Sequence, residues 1–398
     1  MNGGVFLPGS TIGVIGGGQL GRMLVLEARR MGYRTIVLDP DEGAPAGQIS
    51  DEHIVAPLTD VSAARELAMR ADVVTLEWEN ADLAAVAALE ELVAVRPGAK
   101  VLEVAQNRLL EKQAALRLGA ETAPFRGVSS LDELLEGLSR FGTPSVLKTA
   151  SGGYDGKGQR IIRGEDEVVE AFQELGSGSV PLILEGWVSF ALEASVICAR
   201  SLDGTIECFP VVENIHRNGI LDFTVAPARI SADVQRKAEE IGRKLIEGLE
   251  VVGLLAVELF IDTAGHVLVN EIAPRPHNSG HYTWEACSVS QFEQQLRAAC
   301  GLPLEKPQLL SAAAMANLLG EDIGDGSEIT TLPEVFSTPS LALHLYGKAS
   351  ARPGRKMGHL TILSADPSKA LESVAAARAR MVEGYKVVEP LAEPADTL

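Results

Sequence analysis

Short apolar runs alternate with amphipathic segments over the first hundred residues. They predict four strands, at residues 11–15, 35–38, 53–56 and 72–76. Between the first two strands, apolar residues recur at helical spacing from Leu20 to Met31, and Gly32 ends the predicted helix. Strands that alternate with helices in this way are typical of a parallel α/β sheet.

The pattern changes after a predicted helix from about Asn107 to Leu118. Further along the chain, strands are joined by glycine-rich turns and interrupted by helices near residues 165–175 and 232–248. Such a mixture of strands and helices favours an α+β domain over continued βα units.

The length of 398 residues suggests two or three domains rather than one core. Pro303 and Pro307 mark a linker, and the segment after them predicts a smaller third unit. The predicted domains are therefore 1–106, 107–305 and 306–398. The last eight residues are rich in Pro, Ala and acid, and we predict that this tail is disordered.

Composition narrows the class of protein. Hydrophobic residues make up 46% of the chain and charged residues 22%, which is the balance of a globular protein. No apolar run approaches the roughly 18 residues of a membrane span, and the first ten residues carry no secretion signal, so we expect a cytoplasmic protein without membrane contact. The net charge of −19 argues against nucleic acid as a partner, because a phosphate backbone requires a basic face.

The four cysteines, Cys198, Cys208, Cys287 and Cys300, are scattered without a CxxC pair or metal-ligand spacing. We predict that they are reduced and mostly buried thiols, and that they form no disulfide framework. This prediction agrees with the expected cytoplasmic location.

A glycine loop follows the first predicted strand. Gly16 to Gly21 satisfy the spacing G-x-G-x-x-G between a strand and a helix, and Asp39 ends the next strand, as a ribose-binding acid would. Alone, this pattern predicts an NAD-dependent dehydrogenase. Its backbone amides suit any phosphorylated ligand equally well, and a tight turn that needs glycine only for packing is a further alternative.

Two apolar runs around a short glycine-containing turn predict a hairpin over residues 253–272. In that register Glu258 falls opposite Asn270 or Glu271, and both acids interrupt otherwise apolar strands. Facing carboxylates repel each other, and a buried carboxylate without a partner is strongly unfavourable. Oxygen ligands without His or Cys favour Mg²⁺, with Mn²⁺ as an alternative ion. The competing interpretation is that both acids lie at strand ends in solvent.

A second glycine-rich turn joins the predicted strands 145–148 and 160–162. Its residues are Gly153, Tyr154, Asp155, Gly156, Lys157, Gly158 and Gln159. Lys148 and Lys157 place cations at its two ends, but it is not a Walker A loop, because no Ser or Thr follows the lysine. A mobile glycine loop above a strand lysine can still cover a triphosphate. A plain flexible hairpin is the alternative.

Two further polar segments carry candidate chemistry. Directly after the hairpin, two prolines restrict a loop that contains Arg275 and His277, which are placed to reach past the metal toward a transferring group. Residues 348–356, named the basic segment here, contain four Lys and Arg residues, and we expect them to close over an anionic substrate. The alternatives are a loop that caps the next helix and a solvated hairpin turn.

Four segments, 16–23, 153–159, 270–282 and 353–360, carry a resemblance to a known family. They resemble the N5-carboxyaminoimidazole ribonucleotide synthetase family of the ATP-grasp superfamily, and the resemblance covers nearly the whole chain. The run from Asn270 to His281 is more specific than either glycine loop. The resemblance implies a multidomain α/β and α+β protein with an ATP-grasp fold, a Rossmann-like N-terminal domain, a glycine-loop lid subdomain and a small C-terminal domain that closes over the substrate.

The resemblance also implies an ATP-dependent ligase of de novo purine biosynthesis. In the family, ATP, bicarbonate and 5-aminoimidazole ribonucleotide give the N5-carboxy product, ADP and phosphate through carboxyphosphate. Mg²⁺ as a cofactor and a homodimer are implied as well. The alternatives are another ATP-grasp carboxylate–amine ligase, such as formate-dependent glycinamide ribonucleotide transformylase, and a nucleotide sensor without turnover.

Matched by position, one group of residues is implied to bind the nucleotide and the metal. The nucleotide contacts are Arg108, Lys148, the turn 153–159, Glu185, Gly186, Trp187, Val188, Glu193, His216, Asn270 and Glu271. Among these, residues 185–188 resemble the adenine-binding hinge, and Glu193 resembles the ribose-binding acid. Glu258 and Glu271 match the Mg²⁺ ligands.

A second group is implied to handle the reacting molecules. Arg275, His277 and Lys356 match catalytic residues that act on carboxyphosphate and the aminoimidazole ribonucleotide. The implied contacts of that substrate are Gln19, Leu20, Tyr154, Arg275, Arg355 and Lys356. Phosphoryl transfer requires its charge to be neutralised in place, which Mg²⁺ and these cations would do together.

Overall fold

The computed structural model describes residues 4–153, 158–327 and 329–384. Four predicted site residues, Tyr154, Asp155, Gly156 and Lys157, lie outside the described residues, as does the tail predicted to be disordered. The described part of the chain forms a five-stranded, a four-stranded and a nine-stranded sheet.

The first sheet is parallel and belongs to the N-terminal region. Its strands are β1 (Thr11–Ile15), β2 (Arg34–Asp39), β3 (Glu52–Val55), β4 (Val73–Leu76) and β5 (Ala94–Val95). The helices of this region are α1 (Gln19–Arg30), α2 (Val61–Arg70), α3 (Leu83–Glu90) and α4 (Ala99–Ala105). The parallel α/β sheet predicted from the alternation of strands and helices is confirmed.

The strand order in this sheet is β3-β2-β1-β4-β5, so it reverses at β1. In an open parallel sheet, ligands bind at the carboxyl ends of the strands beside such a reversal. The glycine loop follows β1 at this point, and Glu77 and Glu79 follow β4. The reversal therefore directs both segments toward the same crevice.

The second sheet is antiparallel and has the order β6-β9-β7-β8. Its strands are β6 (Phe125–Val128), β7 (Ser145–Thr149), β8 (Gln159–Ile162) and β9 (Leu182–Gly186). Helix α5 (Arg108–Arg117) precedes the sheet, and α6 (Leu131–Phe141) and α7 (Val168–Glu174) pack on one of its faces. Asn107 accepts the first amide hydrogen bonds of α5, which confirms the predicted start of that helix.

The third sheet extends from the middle of the chain to its C-terminal region. Its strands are β10 (Leu192–Arg200), β11 (Ile206–Cys208), β12 (Val212–Arg217), β13 (Ile220–Ala226), β14 (Gly253–Ile261), β15 (Val267–Ala273), β16 (Ala312–Leu319), β17 (Leu341–Leu345) and β18 (Lys356–Ser364). They follow the order β15-β14-β10-β12-β13-β16-β18-β17, with β11 paired to β10. Strands from both sides of the predicted linker thus share one hydrogen-bonded sheet.

Six helices accompany this sheet. They are α8 (Ala232–Gly248), α9 (Thr283–Ala286), α10 (Gln291–Cys300), α11 (Gly320–Ile323), α12 (Leu332–Phe336) and α13 (Pro367–Gly384). Helix α8 has the predicted bounds, because Ser231 caps its start and Ala238, Leu245 and Ile246 repeat on the face that packs against the core. None of the helices described is long and apolar enough to cross a membrane.

The prediction for the cysteines is wrong in part. Cys198 of β10 and Cys208 of β11 stand opposite each other in the antiparallel register and form a disulfide. Cys287 and Cys300 are buried thiols, as predicted. The separation of ten residues does not reveal the pair, since only the strand register brings the two sulfurs together.

Candidate active site

A cavity of about 750 Å³ lies between the crevice of the parallel sheet and the two antiparallel sheets. The predicted site residues that line it are Gln19, Leu20, Arg108, Lys148, Gln159, Glu185, Gly186, Trp187, Val188, Glu193, His216, Glu258, Asn270, Glu271, Arg275, His277, Arg355 and Lys356. Gly153 lines a small adjoining pocket, and Gly158 is not among the lining residues of either. Residues separated by more than three hundred positions in the sequence therefore meet at one place.

Part of the lining is flat and apolar. Phe190 and Phe260 stack with their ring centroids 4.6 Å apart and an interplanar angle of 11°. Trp187, which is 46% exposed, and Ile161 add apolar surface to the same lining. A flat apolar wall of this kind suits a planar heterocycle such as a purine base.

Glu185, in β9, lies between two lysines. Lys148 Nζ is 2.9 Å from one carboxylate oxygen, and Lys112 Nζ is 3.3 Å from the other. Burial raises the pKa of Glu185, but the two lysines outweigh burial and lower it, so the carboxylate is charged at neutral pH. Lys112 also donates to the carbonyl oxygen of Asn270 at 3.4 Å, which connects this carboxylate to the strand that carries Glu271.

Glu193 and His216 form a second pair on neighbouring strands. The side chains of β10 and β12 face each other here, and His216 Nδ1 lies 2.9 Å from Glu193 Oε2. Burial lowers the pKa of His216, but the hydrogen bond to Glu193 and the charges of Glu258 and Glu193 together outweigh burial and raise it. The pair therefore presents a carboxylate and a proton-binding imidazole to the same cavity.

The acids of the β14–β15 hairpin face each other as predicted. Glu258 pairs with Glu271 in the register, with an irregularity directly after Glu258. Burial and the charge of Glu258 raise the pKa of Glu271 to about 7. Burial also opposes ionisation of Glu258, but the hydrogen bond and charge of His277 lower its pKa. The pair thus carries a repulsion that a cation between the two carboxylates would relieve.

The donor set decides which kind of metal site fits here. Within the described residues, no group of three or more His, Cys, Asp or Glu side chains is arranged to hold a metal ion. Mg²⁺ is often held by only one or two protein carboxylates, with substrate phosphates and water as its other ligands. Glu258 and Glu271 fit a Mg²⁺ ion that arrives with a nucleotide, and they do not fit a metal cage made of protein alone.

Acids from different segments hold the two catalytic candidates of the loop after β15. His277 Nε2 lies 3.1 Å from Glu258 Oε1. Arg275 pairs with Glu79 through two guanidinium nitrogens, and its Nη2 lies 2.8 Å from Glu79 Oε1. Burial raises the pKa of Glu79, but the charge and hydrogen bonds of Arg275, with smaller contributions from its surroundings, outweigh burial and lower it. The loop therefore contributes to the cavity and does not merely cap the next helix.

The basic segment connects β17 to β18 and lines the cavity through its four cations. Lys348 Nζ lies 2.8 Å from Gln19 Oε1, and Gln48 Nε2 donates to the carbonyl oxygen of Gly347 at 2.7 Å. Both glutamines belong to the N-terminal region. The basic segment is therefore attached to the N-terminal region beside the cavity, while residues 349–353 are exposed.

Three amides of the first glycine loop already donate to the chain's own carboxylates. The N–H group of Gly17 donates to Asp39 Oδ2 at 2.6 Å. The N–H groups of Gly18 and Gly21 donate to Glu77 at 2.7 and 2.8 Å. Because the chain's own carboxylates occupy these donors, the loop does not fit the dinucleotide interpretation, and Asp39 is not placed as a ribose-binding acid.

Sequence reasoning missed four charged residues around the cavity. Glu77 and Glu79 line it, and Glu111 and Lys112 lie behind it on α5. Burial and the charge of Glu271 raise the pKa of Glu111 to about 8, and its carboxylate accepts the N–H group of Ile272. Glu79 could have been found, because it follows the carboxyl end of a parallel strand. No sequence pattern indicated a role for Glu111 or Lys112, since the residues that they contact are more than seventy positions away.

Three family models match the chain. The ribonucleotide synthetase preATP-grasp domain matches residues 10–106, the ATP-grasp domain matches residues 113–292, and the phosphoribosylaminoimidazole carboxylase C-terminal domain matches residues 313–373. Together they span most of the chain. The predicted fold class, an ATP-grasp protein with an N-terminal parallel sheet and a C-terminal domain, is confirmed.

Named relatives are similar over nearly the full length. An N5-carboxyaminoimidazole ribonucleotide synthase of Bacillus subtilis (strain 168) is 45% identical over 359 residues, which is 90% of this chain and 93% of the relative. The solved structure of the synthetase from Staphylococcus aureus complexed with ADP is 37% identical, with a TM-score of 0.89 over 95% of this chain and 99% of that one.

A third comparison concerns a ternary complex. The solved structure of the synthase from Aspergillus clavatus with ADP and 5-aminoimidazole ribonucleotide is 33% identical, with a TM-score of 0.86 over 94% of this chain and 99% of that one. Identity and coverage at these levels, together with the three domain matches, establish the family. The chain belongs to the N5-carboxyaminoimidazole ribonucleotide synthase family, and it is an ATP-dependent ligase of the ATP-grasp superfamily.

Proposed function

We propose that this cavity carboxylates 5-aminoimidazole ribonucleotide with ATP and bicarbonate, giving the N5-carboxy product, ADP and phosphate in purine biosynthesis. The observation that carries the proposal is the meeting of Glu258 and Glu271 with Arg275, His277 and Lys356 in one cavity. A nucleotide sensor needs the acids but has no use for the three cations. The relatives named above are synthases, which favours this reaction over that of a formate-dependent transformylase.

The nucleotide would lie with its base against the flat apolar wall and the hinge Glu185, Gly186, Trp187 and Val188. Glu193 would accept hydrogen bonds from the ribose, with His216 holding that carboxylate in place. Arg108 and Lys148 would neutralise the phosphates, and residues 153–159 would cover them. In this arrangement Asn270 would lie beside the phosphates, next to Glu271.

Glu258 and Glu271 would hold Mg²⁺, with Mn²⁺ as an alternative. Bound there, the ion would neutralise charge on the transferring phosphoryl group. The chain's own residues would orient the nucleotide and exclude water from the cavity. They would also set the charge of the cavity lining, because the pKa of Glu271, which Glu258 raises, would fall once a cation offsets that repulsion.

Bicarbonate would attack the γ-phosphorus of ATP, which forms carboxyphosphate and releases ADP. The amine of the aminoimidazole ribonucleotide would then attack the carboxyl carbon, or the CO₂ freed from it, as phosphate leaves and the nitrogen loses a proton. Arg275, His277 and Lys356 would stabilise the anionic groups of both steps. Carboxyphosphate reacts readily with water, so a closed cavity is a physical requirement of this route.

The aminoimidazole ribonucleotide would bind under the basic segment. Arg355 and Lys356 would take its phosphate, and Gln19, Leu20 and Tyr154 would contact the rest of the molecule. The position of Gln19 supports this assignment, because its amide already contacts Lys348 at 2.8 Å and lines the cavity. We further propose domain boundaries at 106/107 and 305/306, a homodimer and a cytoplasmic location.

The test is ADP release by the purified protein with Mg²⁺, ATP and bicarbonate, with and without aminoimidazole ribonucleotide. We expect the ribonucleotide to stimulate ADP release strongly. In Lys356→Ala the stimulation should fall by about 10²-fold, because a charge that stabilises the anionic intermediate is removed. Lys306→Ala, a basic residue before β16 that lies outside the cavity, is the matched control and should behave as the parent protein.

Formate with glycinamide ribonucleotide serves as the parallel substrate pair. Turnover on that pair, without stimulation by aminoimidazole ribonucleotide, would keep the ATP-grasp assignment and overturn the proposed substrate.

A further inference from the structure

Three buried side chains next to the basic segment form a hydrogen-bonded group that we name the histidine bridge: His281, Tyr346 and His359. The Tyr346 hydroxyl lies 2.8 Å from His359 Nδ1 and 3.2 Å from His281 Nε2. All three side chains are fully buried. A hydroxyl carries one proton, so Tyr346 donates to one imidazole nitrogen and accepts a hydrogen bond from the other.

The rings of the bridge are stacked. The ring centroids of His281 and His359 are 4.1 Å apart, and His344 also stacks on His359 at 4.5 Å. His344 in turn pairs with Glu285 at 2.6 Å. Stacked rings turn their faces and not their nitrogen lone pairs toward one another, and no group of three or more His, Cys, Asp or Glu side chains among the described residues is arranged to hold a metal ion. The bridge is therefore a packing and hydrogen-bonding device, not a metal site.

Burial keeps the rings of the bridge neutral. It lowers the pKa of both His281 and His359 well below the usual range, and the neighbouring charges of His344, His277 and Lys356 act in the same direction on His281. Neutral imidazole has one donor and one acceptor nitrogen, which is what a shared hydroxyl requires. The bridge is thus formed at neutral pH.

The histidine bridge lies between two segments that carry catalytic candidates. His281 belongs to the same short loop as His277, and Gln291 of α10 holds that loop by accepting the N–H group of His277 at 2.8 Å. His359 lies on β18, three residues after Lys356. Tyr346 lies two residues before the basic segment. The bridge therefore joins the loop that carries one catalytic candidate to the strand that begins with the other.

We propose that the histidine bridge positions His277 and Lys356 relative to each other, and that it thereby couples ATP cleavage to carboxylation. The inference rests on the proposed function, because it concerns how ATP cleavage and carboxylation are coupled in that reaction. His277 lies on the acidic hairpin side of the cavity, and Lys356 belongs to the C-terminal strands. The loop with His277 follows β15 and Lys356 begins β18, and five strands separate β15 from β18 in the sheet.

The expected consequence of breaking the bridge is uncoupling. A misplacement of about 1 Å between reacting groups can cost on the order of 10²-fold in rate. Phosphoryl transfer to bicarbonate also uses the charges on the hairpin side of the cavity, so a displaced Lys356 would slow it less than it slows capture by the amine. Capture by the amine requires Lys356 at its correct position, so more carboxyphosphate would be hydrolysed. The ratio of carboxylated product to ADP would therefore fall.

Tyr346→Phe is the test, since it removes the hydroxyl and keeps the ring. We expect rapid-quench measurement with labelled bicarbonate to show at least a fivefold lower ratio of product to ADP than in the parent protein, with the KM for ATP unchanged. Because the ratio is taken per ADP formed, unfolded protein does not alter it, and a purely structural role would leave it at the parent value.

Two controls separate the possible results. Tyr33→Phe removes another buried tyrosine hydroxyl, which donates to the carbonyl oxygen of Phe6 at 2.8 Å outside the cavity, and it should keep the parent ratio. His359→Asn retains an acceptor near the position of Nδ1 and should restore most of the coupling that His359→Leu loses. An unchanged ratio in both Tyr346→Phe and His359→Leu would overturn the inference, while the proposed function would stand on the parent protein's own product formation.

Discussion

The glycine loop after β1 and the acidic hairpin β14–β15 each involve two carboxylates from different strands, but the carboxylates have opposite roles. In the glycine loop, Asp39 and Glu77 accept the N–H groups of Gly17, Gly18 and Gly21. In the hairpin, Glu258 and Glu271 face each other. One motif is satisfied by its own chain, and the other is not.

The difference shows how to tell a structural glycine or acid motif from a functional one. A carboxylate that already accepts backbone amides has its hydrogen-bonding capacity filled and needs no ligand. Across the hairpin, burial and the charge of Glu258 raise the pKa of Glu271, so a positive charge near this carboxylate would be favourable. The glycine loop matches a familiar binding motif better, but the hairpin is the part of the molecule that is incomplete without a ligand.

The largest effect should come from breaking the hairpin pair. In Glu271→Gln we expect a loss of roughly 10²–10³-fold in ATP-dependent turnover, because the charge that holds the cation near the transferring phosphoryl group is halved. The thermal midpoint without ligands should not fall, since the repulsion from Glu258 is removed. Steady-state kinetics and a melting curve check both. Asp262→Asn, at the turn of the same hairpin and outside the cavity, is the control, and equal losses in both variants would contradict the assignment.

Ligand binding should distinguish the two motifs next. At 100 times its Kd, Mg²⁺-ADP should stabilise the folded protein by about 2.7 kcal/mol, while NAD at the same concentration should have no effect. Thermal shift measurements with each ligand make the comparison. Stabilisation by NAD that is lost in Asp39→Ala would mean that the glycine loop is a dinucleotide site after all.

Asp39→Ala should act on stability and not on turnover. The change leaves the N–H groups of Gly17 and Asp41 without their acceptor, which costs about 1–3 kcal/mol in the free energy of unfolding. Because Asp39 does not line the cavity, kcat at a temperature well below the melting transition should stay at the parent value. Denaturant titration measures the free energy of unfolding, and initial rates measure kcat. A drop in kcat without a loss of stability would contradict the structural role assigned to Asp39.

The smallest effect concerns Glu111, the acid behind the hairpin. Its folded pKa of about 8 lies above the ordinary value, so between about pH 4.5 and 8 the folded state keeps a proton that the unfolded state has lost. The free energy of unfolding should therefore decline as the pH rises through this window. In Glu111→Gln the decline should be shallower, since the amide oxygen can still accept the N–H group of Ile272. Denaturant midpoints in EDTA at several pH values test this, and parallel pH profiles for the two proteins would refute it.

Local patterns predicted the parts of the molecule that depend on local physics. Helix α8 begins and ends where its cap and apolar repeat place it, and the hairpin brings Glu258 opposite Glu271 because its turn fixes the register. The periodicity of the first hundred residues predicted the parallel sheet for the same reason. In each case the information lies within about twenty residues.

Contacts between distant segments were not predictable in this way. Glu79 pairs with Arg275, and Lys112 pairs with Glu185, and each pair depends on how whole elements pack. Cys198 and Cys208 are only ten residues apart, but their pairing depends on the register of β10 and β11, which no local pattern indicated. The histidine bridge is a similar case, because His281 and His359 lie on elements that only the finished sheet brings together. The sequence identified most of the groups that face the cavity but not the residues that hold them there.

The nine-stranded sheet has a consequence for the order in which the molecule is completed. Strand β13 ends at Ala226, but its neighbour β16 begins only at Ala312, and β18 beyond it ends at Ser364. During synthesis from the N-terminus, the hydrogen-bonding edge of β13 has no partner until more than eighty further residues have left the ribosome. An open edge of this kind pairs readily with other chains, so a truncated or stalled product is exposed to aggregation in a way that the complete protein is not.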